Sequence, residues 1–129
     1  MEIISFFLIF VAIELFESNW QKSDTLHGML QNNYSIYRQS IFLFFLLNPS
    51  FIYSIFLVIF LNNTSFLLLS IVGIKFLDIS LKLNIMSKIT EGTPLEEIIP
   101  NIQVSKLFRY LNVIIYPLTF ILSENYFNL

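Results

Sequence analysis

Lys75, Asp78 and Lys82 fall at i, i+3 and i+7 in a stretch, residues 65–85, that begins apolar and becomes charged. At about 100° per residue the three lie within an arc of roughly 60° and share one helix face. Placing Lys or Asp near the centre of a bilayer costs about 2.5 to 3.5 kcal/mol on insertion scales, so each such charge calls for a partner. Asp78 is spaced to pair with either lysine. Glu14 stands in a second apolar stretch, and Asn48, Arg109 and Asn112 in two more. Counting about 1.5 Å per residue from the cytoplasmic side, Lys82 sits roughly 4 Å in, Glu14 roughly 6 Å, Asp78 roughly 10 Å and Lys75 near the middle. An intramembrane polar cluster of Glu14, Asn48, Lys75, Asp78, Lys82, Arg109 and Asn112 is therefore expected, drawn from all the helices and biased toward the cytoplasm. It reads in three ways: a proton or ion relay or substrate counter-charge, an ion-pair network with snorkelling lysines that fixes helix register, or a docking face for a partner subunit.

The remaining residue types exclude much chemistry. Without Cys there is no disulfide, iron–sulfur cluster or thiolate metal site. His27 is the single histidine, so haem held by two histidines is excluded, and the residue reads as a solvated loop side chain. Gly28, Gly73 and Gly92 cannot build a phosphate cradle or dinucleotide fingerprint. An intramembrane protease would need a second Asp or a His inside a span. The chain is expected not to be an enzyme and to carry no cofactor or metal, and a net charge of −2 points to no nucleic-acid partner.

The elements that must position these groups follow from hydropathy. With 56% hydrophobic and 12% charged residues, the bilayer is the natural solvent for this chain. A span needs about 20 mostly apolar residues. Residues 41–61, 65–85 and 104–123 meet that standard; residues 3–20 meet it less well, because Glu14 and Glu17 shorten the apolar run. The expected fold is an all-α integral membrane protein, one transmembrane domain over residues 1–129 with four spans and cytoplasmic loops at 21–40 and 86–103. The start of the chain lacks the basic region and cleavage site of a secretory signal, so the first helix is read as part of the mature protein.

Lys22, Arg38, Lys82, Lys88, Lys106 and Arg109 all gather on one side, while the Asn62-Asn63-Thr64 turn carries no charge. The positive-inside rule then puts both termini and that turn outside. Trp20, Tyr34, Tyr37 and Tyr126 suit interfacial anchors. Thr93-Pro94-Leu95-Glu96 reads as a capping box opening a short interfacial helix over 94–99, ended by Pro100. The polar first loop reads as an extension of the second helix, and Pro49 and Pro117 read as kinks.

A chain of this length with Ala12-Ile13-Glu14 in its first helix is similar to the small multidrug resistance transporters. That resemblance implies a proton- and cation-binding role for Glu14. It covers only those residues, and the chain departs from the family pattern in having three Gly and in carrying Lys75, Asp78 and Lys82 on the third helix.

The functional expectation is an accessory subunit or assembly factor of a larger complex in a bacterial inner membrane. Its partners would be the lipid bilayer and other membrane subunits or further copies of itself. The alternative is a small oligomeric proton- or cation-coupled transporter using Glu14 and Asp78.

Overall fold

The computed structural model describes residues 3–127, with side-chain environments through Glu124, so Tyr126 lies outside the described side chains. The chain is all-helical: α1 (Ile3–Trp20), α2 (Leu26–Gln39), α3 (Ile41–Leu46), α4 (Ser50–Phe60), α5 (Phe66–Thr90), α6 (Leu95–Ile98), α7 (Lys106–Arg109) and α8 (Leu111–Phe127). Four rods close a ring, α1 packing on α4 and α8, and α5 on the same two. Phe6, Phe10, Leu57, Leu68, Ile71 and Phe120 fill its middle. The aromatics there meet edge-on or tilted, as Phe10 does with Tyr53 and Phe120, the arrangement that ring quadrupoles favour.

Among the described residues, α1 is the one helix long and apolar enough to cross a membrane by length and composition. Of its 18 residues only Phe6, Phe10 and Glu14 are buried, so its apolar surface is mostly uncovered by the rest of the chain. That pattern suggests membrane association. It also inverts the order expected from sequence, where α1 was the least apolar of the four. The reason lies in the other three, each of which is divided or charged.

The stretch 41–61 is two helices rather than one kinked helix, because Asn48-Pro49 interrupts it and Pro49 stands before the first turn of α4. Residues 104–123 likewise hold a single turn, α7, set off from α8 at Tyr110. Pro117, in contrast, lies inside α8 without ending it. The third stretch runs five residues beyond 85, to Thr90, and contains all three charges.

Helix ends follow local chemistry. Ser40 and Ser65 cap α3 and α5 through their hydroxyls. α5 stops in a Schellman motif: Gly92, at φ 101, places its own N–H on Ile89 O and that of Thr93 on Lys88 O. Asn62, at φ 49, ends α4 by the same pair of bonds, to Ile59 O and Val58 O. The tight turn between α4 and α5 thus arises from one residue that tolerates the left-handed region.

The first loop is not an extension of the second rod. It holds the 14-residue α2, which the extended Ser40 separates from α3. Ser40 closes α2 through its N–H to Ile36 O and opens α3 through its side chain. Ser40→Ala is expected to lower stability by about 1 kcal/mol, the usual cost of a lost cap, readable as a denaturation midpoint.

α2 packs Leu30 against Ile85 of α5 and Leu95 of α6. The short helix of the second loop therefore turns its apolar side toward protein. Its capping box also does not form: Pro94 is the extended N-cap, and no side chain caps the turn. A single turn cannot repay the ordering of a capping pair when tertiary packing of Leu95 already fixes it.

Candidate functional site

The polar residues of α1 and α5 repeat one spacing. Glu14, Glu17 and Gln21 stand at i, i+3 and i+7, matching Lys75, Asp78 and Lys82. The two sets face each other in register. Glu14 Oε1 lies 2.5 Å from Lys75 Nζ, and seven residues further along both segments Lys82 Nζ donates to Gln21 Oε1 at 3.2 Å. Two helices running in the same direction, each rising about 1.5 Å per residue, keep such a match over two turns.

Lys75 is buried, and each direction of its ammonium is occupied. It pairs with Glu14, donates to Ser50 Oγ at 3.0 Å and sits 3.8 Å from the centre of the Tyr116 ring. Glu14 is 1% exposed. A charge so far from water is tolerable only with a partner of this kind.

Beside this pair lies the break between α3 and α4. A helix interrupted in an apolar setting leaves a carbonyl and an N–H without intrahelical partners. α1 supplies both. Trp20 Nε1 donates to Leu47 O at 2.7 Å, and Ser50 N donates to Glu17 Oε2 at 2.6 Å. Glu17 thus places a carboxylate at the positive end of α4. Trp20 thus clasps the break.

Asn48, within the break, is buried; its Nδ2 donates to Phe44 O at 2.9 Å and its Oδ1 accepts from Gln21 Nε2 at 2.8 Å. Asn33 of α2 in turn donates to Gln21 Oε1 at 2.9 Å. Gln21 is the junction of this network, linking α2, α5 and the broken rod.

Of the seven residues expected to cluster, Glu14, Lys75, Asp78, Lys82, Arg109 and Asn112 border one cleft of about 320 Å³, while Asn48 reaches it through Gln21. Asp78 pairs with Lys82 at 3.3 Å. Arg109 does not join the Glu14–Lys75 pair. Its Nη2 donates to Asp24 Oδ1 and to Ser23 O, both at 3.2 Å, at the polar end of the bundle. Asn112 is exposed at the rim. The Asp24 carboxylate is 99% exposed, and ion pairs in water contribute little. Asp24→Asn is accordingly expected to leave the melting temperature unchanged.

The two loops flanking the cleft are stitched together. Leu26 N donates to Ile102 O and Val104 N to Asp24 O, both at 2.8 Å, around a lone antiparallel bridge between Thr25 and Gln103. His27 belongs to this seam rather than to solvent. It is 9% exposed, its ring Nε2 lies 2.8 Å from Ile99 O, and its backbone N–H donates to Asn101 Oδ1. Pairing of two loops 74 residues apart gives no local periodicity, so the sequence carries no mark of it.

Glu17, Gln21, Asn33, Ser50 and Tyr116 were not expected at the site. The repeated spacing of 14/17/21 and 75/78/82 was the available signal for the first two. At the opposite end, Asn63 is fully buried and donates to Glu124 Oε1 at 2.7 Å and Ser123 Oγ at 3.2 Å, tying the α4–α5 turn to α8. Among the described residues no group of three or more His, Asp or Glu side chains is placed to hold a metal ion. Compared with known protein families, curated proteins and solved structures, the chain matches none.

Proposed function

We propose that this protein is a four-span bundle of a bacterial inner membrane and serves there as a non-enzymatic subunit or assembly factor of a larger complex. The observation that carries the reading is the inside-out distribution of polarity. The outward faces of the four rods expose large apolar side chains, among them Leu8 and Phe16 on α1, Ile59 on α4, Leu77 on α5 and Leu118 on α8. Glu14, Glu17 and Lys75 turn inward and find partners within the chain. Lipid is the solvent that such a surface fits.

Two features favour a structural role over conduction. The Glu14–Lys75 pair closes on itself, and the outer half of the ring is filled by the apolar plug of Phe6, Phe10, Leu57, Leu68, Ile71 and Phe120. Ion pairs and hydrogen bonds between helices fix their register, which is what a scaffold subunit requires. The positive loops and both termini take the sides given by the positive-inside rule.

Cross-linking and affinity capture of a tagged chain from native membranes, beside a Lys75→Ala/Asp78→Ala/Lys82→Ala variant, tests this. A dominant partner lost in the variant is the expected result. Recovery of a monomer with no partner would overturn it. Because the chain has no Cys, single cysteines at Asn62 and Lys88 report the topology by labelling from either side.

One observation favours the second reading, a small oligomeric proton- or cation-coupled transporter. A broken helix beside a buried ion pair is an arrangement that transporters use at their binding sites. Liposome flux lost in Glu14→Gln or Asp78→Asn is what that reading requires; flux unaltered by both would dispose of it.

A further inference from the structure

The cleft has one side built for an amphiphile. Four of the residues bordering it are also exposed: Asp78 and Leu81 of α5, Phe108 of α7 and Asn112 of α8. They place its opening laterally, between α5 and the α7–α8 corner. Leu81 is 57% and Phe108 58% exposed, so the opening is flanked by apolar surface. Behind it stand two cations withdrawn from water, the side chains of Lys82 and Arg109 being 18% and 11% exposed. The Arg109 Nε–H is buried without a partner, a donor that the fold leaves unanswered. Asp78 offers a carboxylate that is 56% exposed at the same mouth.

An anion is recognised by the two cations, an ammonium by Asp78, and hydrocarbon by the apolar flank. A single molecule combines those three: a phospholipid with a primary amine in its headgroup. From the four-span reading we infer that the cleft binds such a lipid from the cytoplasmic leaflet, with its phosphate on Lys82 and Arg109 and its ammonium on Asp78. The acyl chains then lie along the exposed Leu77, Leu81 and Ile115. Binding exchanges the Asp78–Lys82 contact, an i,i+4 pair that is individually weak, for a phosphate and an ammonium.

The test is native mass spectrometry of delipidated full-length protein in detergent, titrated with phosphatidylethanolamine, phosphatidylcholine, phosphatidylglycerol or soluble glycerophosphoethanolamine. Wild type is expected to retain one phosphatidylethanolamine. Lys82→Gln and Arg109→Gln are each expected to weaken it by about tenfold, the equivalent of one charge-assisted hydrogen bond. Asp78→Asn is expected to abolish the preference for phosphatidylethanolamine over phosphatidylcholine, whose quaternary ammonium cannot donate. Equal retention of all three lipids by wild type would overturn the inference without recourse to any variant. Variants that melt like wild type yet bind lipid unchanged would overturn it as well. Glycerophosphoethanolamine binding as tightly as the lipid would make the ligand soluble, and a protein segment cross-linked in the cleft with no lipid would replace it. The cysteine-labelling experiment reads topology alone, so its failure is distinguishable from failure of lipid selectivity.

Discussion

Lys75→Met is expected to cost about 3–5 kcal/mol of folding free energy, the effect of removing one member of a buried ion pair. Glu14 has almost no contact with solvent, and Lys75 is its counter-charge. Once the ammonium is gone, the carboxylate must take up a proton or the helices must part to admit water. Ser50 Oγ and the Tyr116 ring lose their cation in the same step. The companion variant separates the pair from the site. Glu14→Gln/Lys75→Met removes both charges and is expected to recover most of the loss, since a neutral replacement of a buried pair is often close to neutral in stability. Reversible unfolding in mixed micelles, arranged as a double-mutant cycle, gives the coupling directly. Additive losses from the two single substitutions would show that the two side chains are near each other without depending on each other.

Glu17→Ala is expected to cost about 1.5–3 kcal/mol, the range for hydrogen bonds to a charged group. Glu17 accepts from Ser50 N at the start of α4, where the chain has just left the helix at Leu47. Without it, a half-buried N–H at the positive end of an 11-residue helix has no partner. Glu17→Gln keeps an acceptor but not the charge, and is expected to fall between wild type and Ala. Hydrogen exchange of the first α4 turn should accelerate in the Ala variant while α5 stays protected. Equal acceleration across all helices would place the role of Glu17 elsewhere.

These two carboxylates illustrate a division of labour that hydropathy hides. Both shorten the apolar run of the first helix, and by that measure they count against it. In the structure they are the reason a long apolar helix can stand beside a broken one: Glu14 neutralises Lys75, and Glu17 supplies the acceptor that the break requires. Glu17 and Trp20 are three residues apart on α1 and serve the two sides of the break, the N–H of Ser50 and the carbonyl of Leu47. Irregular backbone among apolar helices survives only where such partners are present.

What the sequence by itself determined was the helical character of the chain and the need of Glu14 and Lys75 for partners; Asp78, expected inside as well, is exposed at the mouth of the cleft. Those follow from local quantities: apolar run length, helical spacing, and the cost of an isolated charge in an apolar setting. Tertiary structure alone decided how the charges divide. Lys75 chose Glu14 over the nearby Asp78, Arg109 turned to Asp24 at the mouth, and Asn48 met Gln21. It also decided that α2 stands apart from α3, that the second loop packs Leu95 on α2 and α5, and that His27 closes a seam to Ile99 and Asn101. The physical reason is common to all of these. A hydrogen bond or ion pair between residues tens of positions apart depends on which helix faces which, and that is set by the packing of Phe10, Leu57, Leu68 and Phe120 in the ring. Periodicity within one segment gives a face its character; only packing gives that face its neighbour.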